Sequence, residues 1–400
     1  RRRSLERALI GECRDLVGAE PEDLTQYPVV VLAEQRTGPV VADRSAGDTE
    51  AVVLVAALAE ERVYVGFEVS AVRQLGIGVE VTEVVHRHGL EAGAASLRYF
   101  TRYYGIPYPG DKLDMVALPD FSMGAMENLG CITYRENLLL VDPERGTQFE
   151  MQTLADVVHH ELAHMWFGDL VTMKWWNGIW LNEAFATFME IACCAAFRPD
   201  WLRWTTFSLE RSMAFEVDSL ASTRTVEFPV EAPDDCDGMF DVLTYQKGGS
   251  LLRMLEQYLG DERFRHGVSH YLSTHEYGNT ETSDLWDALE HTSGEPVRSV
   301  MDSWIWQRGF PMVSASLHGR RLVLRQSRFG YSVAAAQEPT QWLVPVHLRE
   351  IGAGVDRQRT VLLTGPELVI ELDDPAVAVL VNAGGHGFFR VSYDDALRSR

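Results

Sequence analysis

Residues 154–167 constrain this chain more than any other stretch. Leu154, Val157, Val158, Leu162 and Met165 recur at the three- and four-residue intervals of a buried helical stripe, and Gly168 supplies the stop. The run predicts one helix, and on it stands His160-Glu161-Leu162-Ala163-His164. Residues four apart lie one turn above each other, so both imidazoles converge on one point with Glu161 beside them. That is half of a catalytic zinc site plus a base, since such a site needs three protein donors and one position left open for water. Glu183 follows His164 after eighteen intervening residues, within Trp180-Leu181-Asn182-Glu183-Ala184-Phe185 at the start of another helical run. The chain can end one helix, turn and bring a carboxylate back. His160, His164 and Glu183 are therefore the expected donors to one Zn²⁺ per chain, and Glu161 is the expected catalytic base.

Two neighbours of this set need separate readings. His159 points about 100° around the helix from His160 and reads as a hydrogen-bonded structural histidine. Glu190 lies two turns after Glu183 on the same face, where it either accepts the second N–H of a donor histidine or is solvated. Peptide hydrolysis is the natural chemistry of the set, with Glu161 taking a proton from the attacking water and passing it to the leaving amine.

Around this centre the chain reads as β, then mostly α, then β. Val-rich runs (Tyr27-Pro28-Val29-Val30-Val31, Ala51-Val52-Val53-Leu54-Val55, Arg62-Val63-Tyr64-Val65-Gly66-Phe67) are separated by Gly, Asp and Ser, which is strand and turn chemistry. From Glu80 the period becomes helical, with Leu90, Ala94, Leu97 and Phe100 on one face until Gly105-Ile106-Pro107 stops it. After Pro311 strands return at Arg321-Leu322-Val323-Leu324, Trp342-Leu343-Val344-Pro345-Val346, Thr360-Val361-Leu362-Leu363 and Glu367-Leu368-Val369-Ile370, spaced as in a small sandwich. The expectation is an α+β multidomain protein: a β-rich segment over residues 1–76, a mainly helical catalytic domain over 77–309 and a β-sandwich over 310–400.

Charge and cysteine usage exclude several classes. A formal net charge of -22 argues against a nucleic-acid partner, because phosphate binding needs clustered Lys and Arg. No window approaches the roughly 18 consecutive apolar residues of a membrane span, so no membrane partner is expected. Arg1, Arg2 and Arg3 imitate the basic start of a signal peptide, but no apolar stretch follows them. The five cysteines (Cys13, Cys131, Cys193, Cys194, Cys236) are an odd, scattered set without a CxxC pair, which points to a reducing compartment, the cytoplasm.

Upstream of the metal motif, after an expected strand Met115-Val116-Ala117-Leu118, lies Phe121-Ser122-Met123-Gly124-Ala125-Met126-Glu127-Asn128. Gly124 permits close backbone approach to a ligand, and Glu127 offers a charge that could meet a substrate ammonium. Gly-Ala-Met-Glu-Asn, followed by HExxH and by Glu in an Asn-Glu pair, resembles the M1 metallo-aminopeptidases, the gluzincin family of aminopeptidase N and leukotriene A4 hydrolase. The likeness runs from about Tyr99 to Tyr393, through Trp175-Trp176, Tyr245-Gln246-Lys247-Gly248 and the segment from Asn382 to Val391. It implies that Glu127 binds the free α-amino group of peptide substrates and that the Gly124 and Ala125 backbone lines the peptide path. It implies that Tyr245, otherwise an ordinary aromatic, hydrogen-bonds the tetrahedral oxyanion. It further implies a β-saddle, a thermolysin-like catalytic domain and a β-sandwich. The family counterpart of Met123 lines the first side-chain pocket, and an unbranched thioether there implies broad acceptance of apolar and basic first residues.

The chain departs from that pattern in three places. Gln246 replaces the usual Glu or Ser, and Arg224-Thr225 occupies the place of a His-Pro pair. Only 123 residues precede Gly124, without the family segment that adds a second Glu or Gln to amino-group binding, so a truncated chain is expected. A zinc endopeptidase, an epoxide hydrolase and a non-catalytic peptide-binding fragment are the rival readings.

Overall fold

In the computed structural model, the described residues are 30–33, 52–59, 62–69, 79–332, 338–352, 354–373 and 378–399, with side chains described from Arg87 onward. The readings made for residues 1–3, Cys13, residues 27–29 and Ala51 lie outside them. The protein is a mixed helix-and-sheet structure with two compact units. One comprises the residues up to Leu170 together with Met189–Arg203, and the other comprises Val171–Phe188 and the chain from Trp204 onward.

The first unit contains a six-stranded mixed sheet in the order β1-β3-β2-β4-β6-β5. Its strands are β1 (Val30–Ala33), β2 (Val52–Ala59), β3 (Arg62–Val69), β4 (Lys112–Leu118), β5 (Ala125–Met126) and β6 (Cys131–Arg135). The Val-rich runs therefore do not form a sheet of their own. β2 pairs antiparallel with β4, Leu54 opposite Met115, so the expected boundary near residue 76 coincides with no break in the sheet. Helix α1 (Val79–Tyr104) stops where Gly105 takes a φ of 72°, as the sequence predicts.

Helix α2 spans Gln148–His164, which begins earlier and ends earlier than the apolar stripe alone suggests. Its start is set by a reciprocal cap: Glu150 N donates to Thr147 Oγ1 at 3.2 Å and Thr147 N donates to Glu150 Oε2 at 2.8 Å. Buried Leu154, Ala155, Val158 and Leu162 face the core. Gly168, at a φ of 131°, turns the chain out of the helix.

In the second unit, β7 (Val171–Met173) pairs parallel with β8 (Gly278–Thr280). Helix α3 (Ile179–Phe197), of which the residues up to Phe188 belong to this unit and those from Met189 to the first, is apolar on nearly every face. The window Trp176–Phe197 is long and apolar enough to cross a membrane, but 78% of it is buried, as in the core helix of a globular domain. Helices α4 (Arg203–Asp218), α5 (Gly248–Leu259), α6 (Asp261–His275), α7 (Thr282–Ser293) and α8 (Val297–Ile305) follow. α5 runs so close to α3 that a Cβ on Gly248 would lie 2.4 Å from that of Ala184, beside Glu183, so only glycine fits there.

The remaining strands, also in the second unit, form two sheets in the orders β13-β10-β9-β15 and β12-β11-β14. They are β9 (Pro311–His318), β10 (Arg321–Arg328), β11 (Val344–Gly352), β12 (Val355–Leu363), β13 (Glu367–Glu371), β14 (Ala378–Val381) and β15 (Arg390–Tyr393). β9 alternates as one-sided burial requires, with Val313, Ala315 and Leu317 inside and Ser314 and His318 outside. Trp342 lies just before β11 rather than in it.

Candidate metal centre and its surroundings

The last two turns of α2 carry His160, Glu161 and His164, and the first two turns of α3 carry Glu183. One donor atom from each of His160, His164 and Glu183 lies within 4.8 Å of the others. The two imidazole centroids are 4.8 Å apart with rings nearly perpendicular, as expected for i and i+4 side chains turned to one point.

Which nitrogen of each ring can coordinate follows from the other. His160 Nδ1 lies 2.7 Å from Glu190 Oε2, and His164 Nδ1 lies 2.9 Å from the carbonyl oxygen of Phe167. A carboxylate and a carbonyl only accept, so both Nδ1 atoms carry the proton and Nε2 is the lone-pair nitrogen of each neutral ring. Two neutral imidazoles and a carboxylate are a borderline-soft N/O set that suits zinc. His164 and Glu183 are 1% and 7% exposed, whereas His160 is only partly buried, so the set is approached by water from one side.

Glu190 is itself held. Arg203 Nη2 lies 3.9 Å from Glu190 Oε1, and Arg203 Nε donates to Asp156 Oδ2 at 2.8 Å, with Arg203 fully buried. Outer carboxylates of this kind fix the orientation and raise the basicity of a donor ring. Asp156 precedes His160 by four residues on the face of α2 that the motif defines, so its place was readable; nothing in the sequence around Arg203 marks it. Glu227, also unforeseen, fixes the start of α3. It accepts from Trp180 Nε1 at 2.9 Å and from Thr282 Oγ1 at 2.5 Å, and its burial raises its pKa against those hydrogen bonds.

His159 meets its structural reading only in part. Nδ1 lies 2.6 Å from Ser96 Oγ, whereas Nε2 is buried with no hydrogen-bond partner among the described residues. Burial, then the nearby His88, pushes its pKa down to about 3, so the ring is neutral.

The Gly-Ala-Met-Glu-Asn segment forms the edge of the sheet. Ala125 and Met126 are β5, opposite Tyr134 and Thr133 of β6, and Arg135 N donates to Gly124 O at 2.8 Å. The Arg135 side chain straps the preceding turn, donating from Nε to Phe121 O at 3.0 Å and from Nη2 to Ser122 O. A Cβ on Gly124 would meet only Leu138 Cδ1 at 3.5 Å, so the internal packing does not require glycine there. Met123 is 56% exposed.

Glu127 is half-buried, and its charge acts on Asp169. Burial pushes the Asp169 carboxyl up to about 7, His164 opposes that rise, and Glu127 adds to it. Tyr134, fully buried on β6, is pushed well above its usual pKa by burial and then by the charge of Glu161. Tyr245 lies on a π-helical turn, Leu243–Lys247, in which Lys247 N donates to Val242 O at 2.9 Å.

Residues 88–304 match the peptidase family M1 domain. The chain belongs to peptidase family M1. It is 40% identical over 321 residues to aminopeptidase M1-A of Oryza sativa subsp. japonica, covering 78% of this chain and 36% of that protein. It is 42% identical over 328 residues to the mitochondrial aminopeptidase 2 of Saccharomyces cerevisiae (80% and 34%). To the probable aminopeptidase 2 of Sulfurisphaera tokodaii it is 41% identical over 310 residues (77% and 39%). This M1 chain thus spans little more than a third of the length of these relatives.

Proposed function

We propose that this M1 chain is a zinc-dependent aminopeptidase that hydrolyses the first peptide bond of substrates with a free N-terminus. The carrying observation is the convergence of His160, His164 and Glu183 within 4.8 Å, with Glu161 on the same helical turn. His160, His164 and Glu183 would hold a zinc ion, which would supply Lewis-acid activation of water and of the scissile carbonyl. Glu161 takes the proton of the attacking water and returns it to the leaving amine. Tyr245 donates its phenol hydrogen to the developing oxyanion. Glu127 pairs with the α-ammonium, and an extended substrate runs along Gly124, Ala125 and the edge of β5, with its first side chain at Met123. Glu190 orients His160.

In this reading the described residues from 79 to 309 belong to a thermolysin-like catalytic domain, which shares a sheet with the strands that precede it, and those from 310 onward to a β-sandwich. The free thiols among the described residues, Cys131, Cys193, Cys194 and Cys236, support a reducing compartment such as the cytoplasm.

Metal analysis should find one zinc per chain, lost with activity on chelation and recovered on adding Zn²⁺. Full activity in a verified metal-free preparation would refute the metal assignment. Exopeptidase character is tested with free and N-acetylated aminoacyl anilides. A blocked N-terminus leaves the Glu127 carboxylate unpaired, and truncating one partner of such a pair costs about 2–5 kcal/mol. Free amines should be preferred, and Glu127→Ala should raise KM and lower kcat for them while leaving acetylated peptides nearly unaffected. Equal cleavage of both classes, with the variant indistinguishable from the parent, would replace this reading with a zinc endopeptidase.

A further inference from the structure

π-helical turns are rare and concentrate at functional sites, because each needs support that ordinary helix hydrogen bonds do not give. The turn carrying Tyr245 has two such supports. At its end, Lys247 Nζ lies 2.8 Å from Asp218 Oδ2, both side chains fully buried. At its start stands Asp241. Its Oδ1 accepts from Leu243 N at 2.9 Å and Thr244 N at 3.2 Å, and its carbonyl accepts from Tyr245 N at 3.1 Å.

One side chain gathers this start. Arg224 Nη2 donates to Asp241 Oδ1 at 2.5 Å and to Thr244 Oγ1 at 3.0 Å. Its Nη1 donates to Thr225 O at 2.9 Å and to Val226 O at 3.1 Å, and its plane lies 4.9 Å from the centroid of Phe228. A planar fork thereby ties residues 224–228 to Asp241, just before the turn, and to Thr244, in its first half, a span that a compact ammonium cannot fully reproduce.

We propose that Arg224 is a positioning residue: through Asp241 and Thr244 it sets the turn that aims the Tyr245 phenol. The inference rests on the oxyanion role given to Tyr245 above. Arg224 and Asp241 are 22% and 39% exposed, so their pairing is screened by solvent and contributes little to global stability, whereas the buried Lys247–Asp218 pair holds the turn independently. Loss of Arg224 therefore misplaces the turn without unfolding the protein.

The test compares Arg224→Ala, Arg224→Lys, Tyr245→Phe and the double variant Arg224→Ala/Tyr245→Phe in the full chain, using a free aminoacyl anilide. Oxyanion donors are worth about 10²- to 10³-fold in kcat, which sets the ceiling for Tyr245→Phe. Arg224→Ala should lower kcat by about tenfold or more within that ceiling. KM, zinc content and Tm should stay near the parent values, and Arg224→Lys should recover part of the loss. The double variant should be no slower than Tyr245→Phe alone, since a turn without its phenol has nothing left to aim. Hydrogen exchange should show lost amide protection over residues 241–248 alone. Multiplying effects in the double variant, a kcat loss that merely follows a fall in Tm, or unchanged protection at 241–248 would each overturn the proposal. An inactive parent would instead refute the proposed function, and the exchange result would still decide whether Arg224 holds the turn.

Discussion

Glu161→Gln lowers kcat by about 10²- to 10⁴-fold while zinc content stays at the parent level. The substitution keeps the shape of a side chain that is 7% exposed and surrounded by packed helix, so the fold has no reason to move. It removes the capacity to accept a proton. Glu161 stands on α2 between the two imidazoles, but the converging donor set is made by His160, His164 and Glu183 without it. Binding and chemistry should therefore separate: metal analysis and Tm unchanged, turnover lost. Zinc loss in this variant would make Glu161 a structural group, and undiminished turnover would move the base elsewhere.

Lys247→Met destabilises the fold by about 3–5 kcal/mol, the usual cost of leaving one member of a buried ion pair alone. Lys247 and Asp218 are both 0% exposed. Asp218 also accepts from Thr223 Oγ1 at 2.7 Å and from Gly309 N at 3.0 Å, and Lys247 Nζ donates to Gly309 O at 3.2 Å. Asp218 thus keeps two hydrogen bonds when the lysine is removed, but its charge loses its partner. Combining Lys247→Met with Asp218→Asn should recover part of the loss, because the amide no longer buries a charge. Urea unfolding at constant m-value measures both. A single variant within about 1 kcal/mol of the parent would show that the site is hydrated in solution, contrary to its burial.

The metal motif was legible because its chemistry is written at fixed local spacing. His160 and His164 share a face through the four-residue interval, and Glu190 could be weighed as a partner because it lies seven residues after Glu183 on one helix. The start of α2 was legible too: Thr147 and Glu150 have the capping spacing, but the apolar stripe drew the boundary to Leu154. Other parts carried no local signal. Arg203 and Glu227 act through contacts with residues 47 positions away, Asp156 and Trp180. A π turn has no sequence period, so the seat of Tyr245 could not be read, and the role of Tyr245 itself came only from family likeness. The sheet misled for a different reason. Strand-forming residues announce a strand but not all of its neighbours, and β2 pairs with β3 on one side and, across a long helix, with β4 on the other.

β5 is two residues long and lies at the edge of its sheet. Long exposed edges recruit any extended chain, including further copies of the same protein, and so seed aggregation. An edge this short offers only a few backbone hydrogen bonds, each worth about 1 kcal/mol net, too few to hold a neighbouring strand. A peptide bound there would be retained mainly by its ends, the ammonium at Glu127 and the carbonyl at the metal centre. On the function proposed above, such an edge would accept a peptide without making the protein adhesive to itself, and lengthening β5 should trade that safety for indiscriminate pairing.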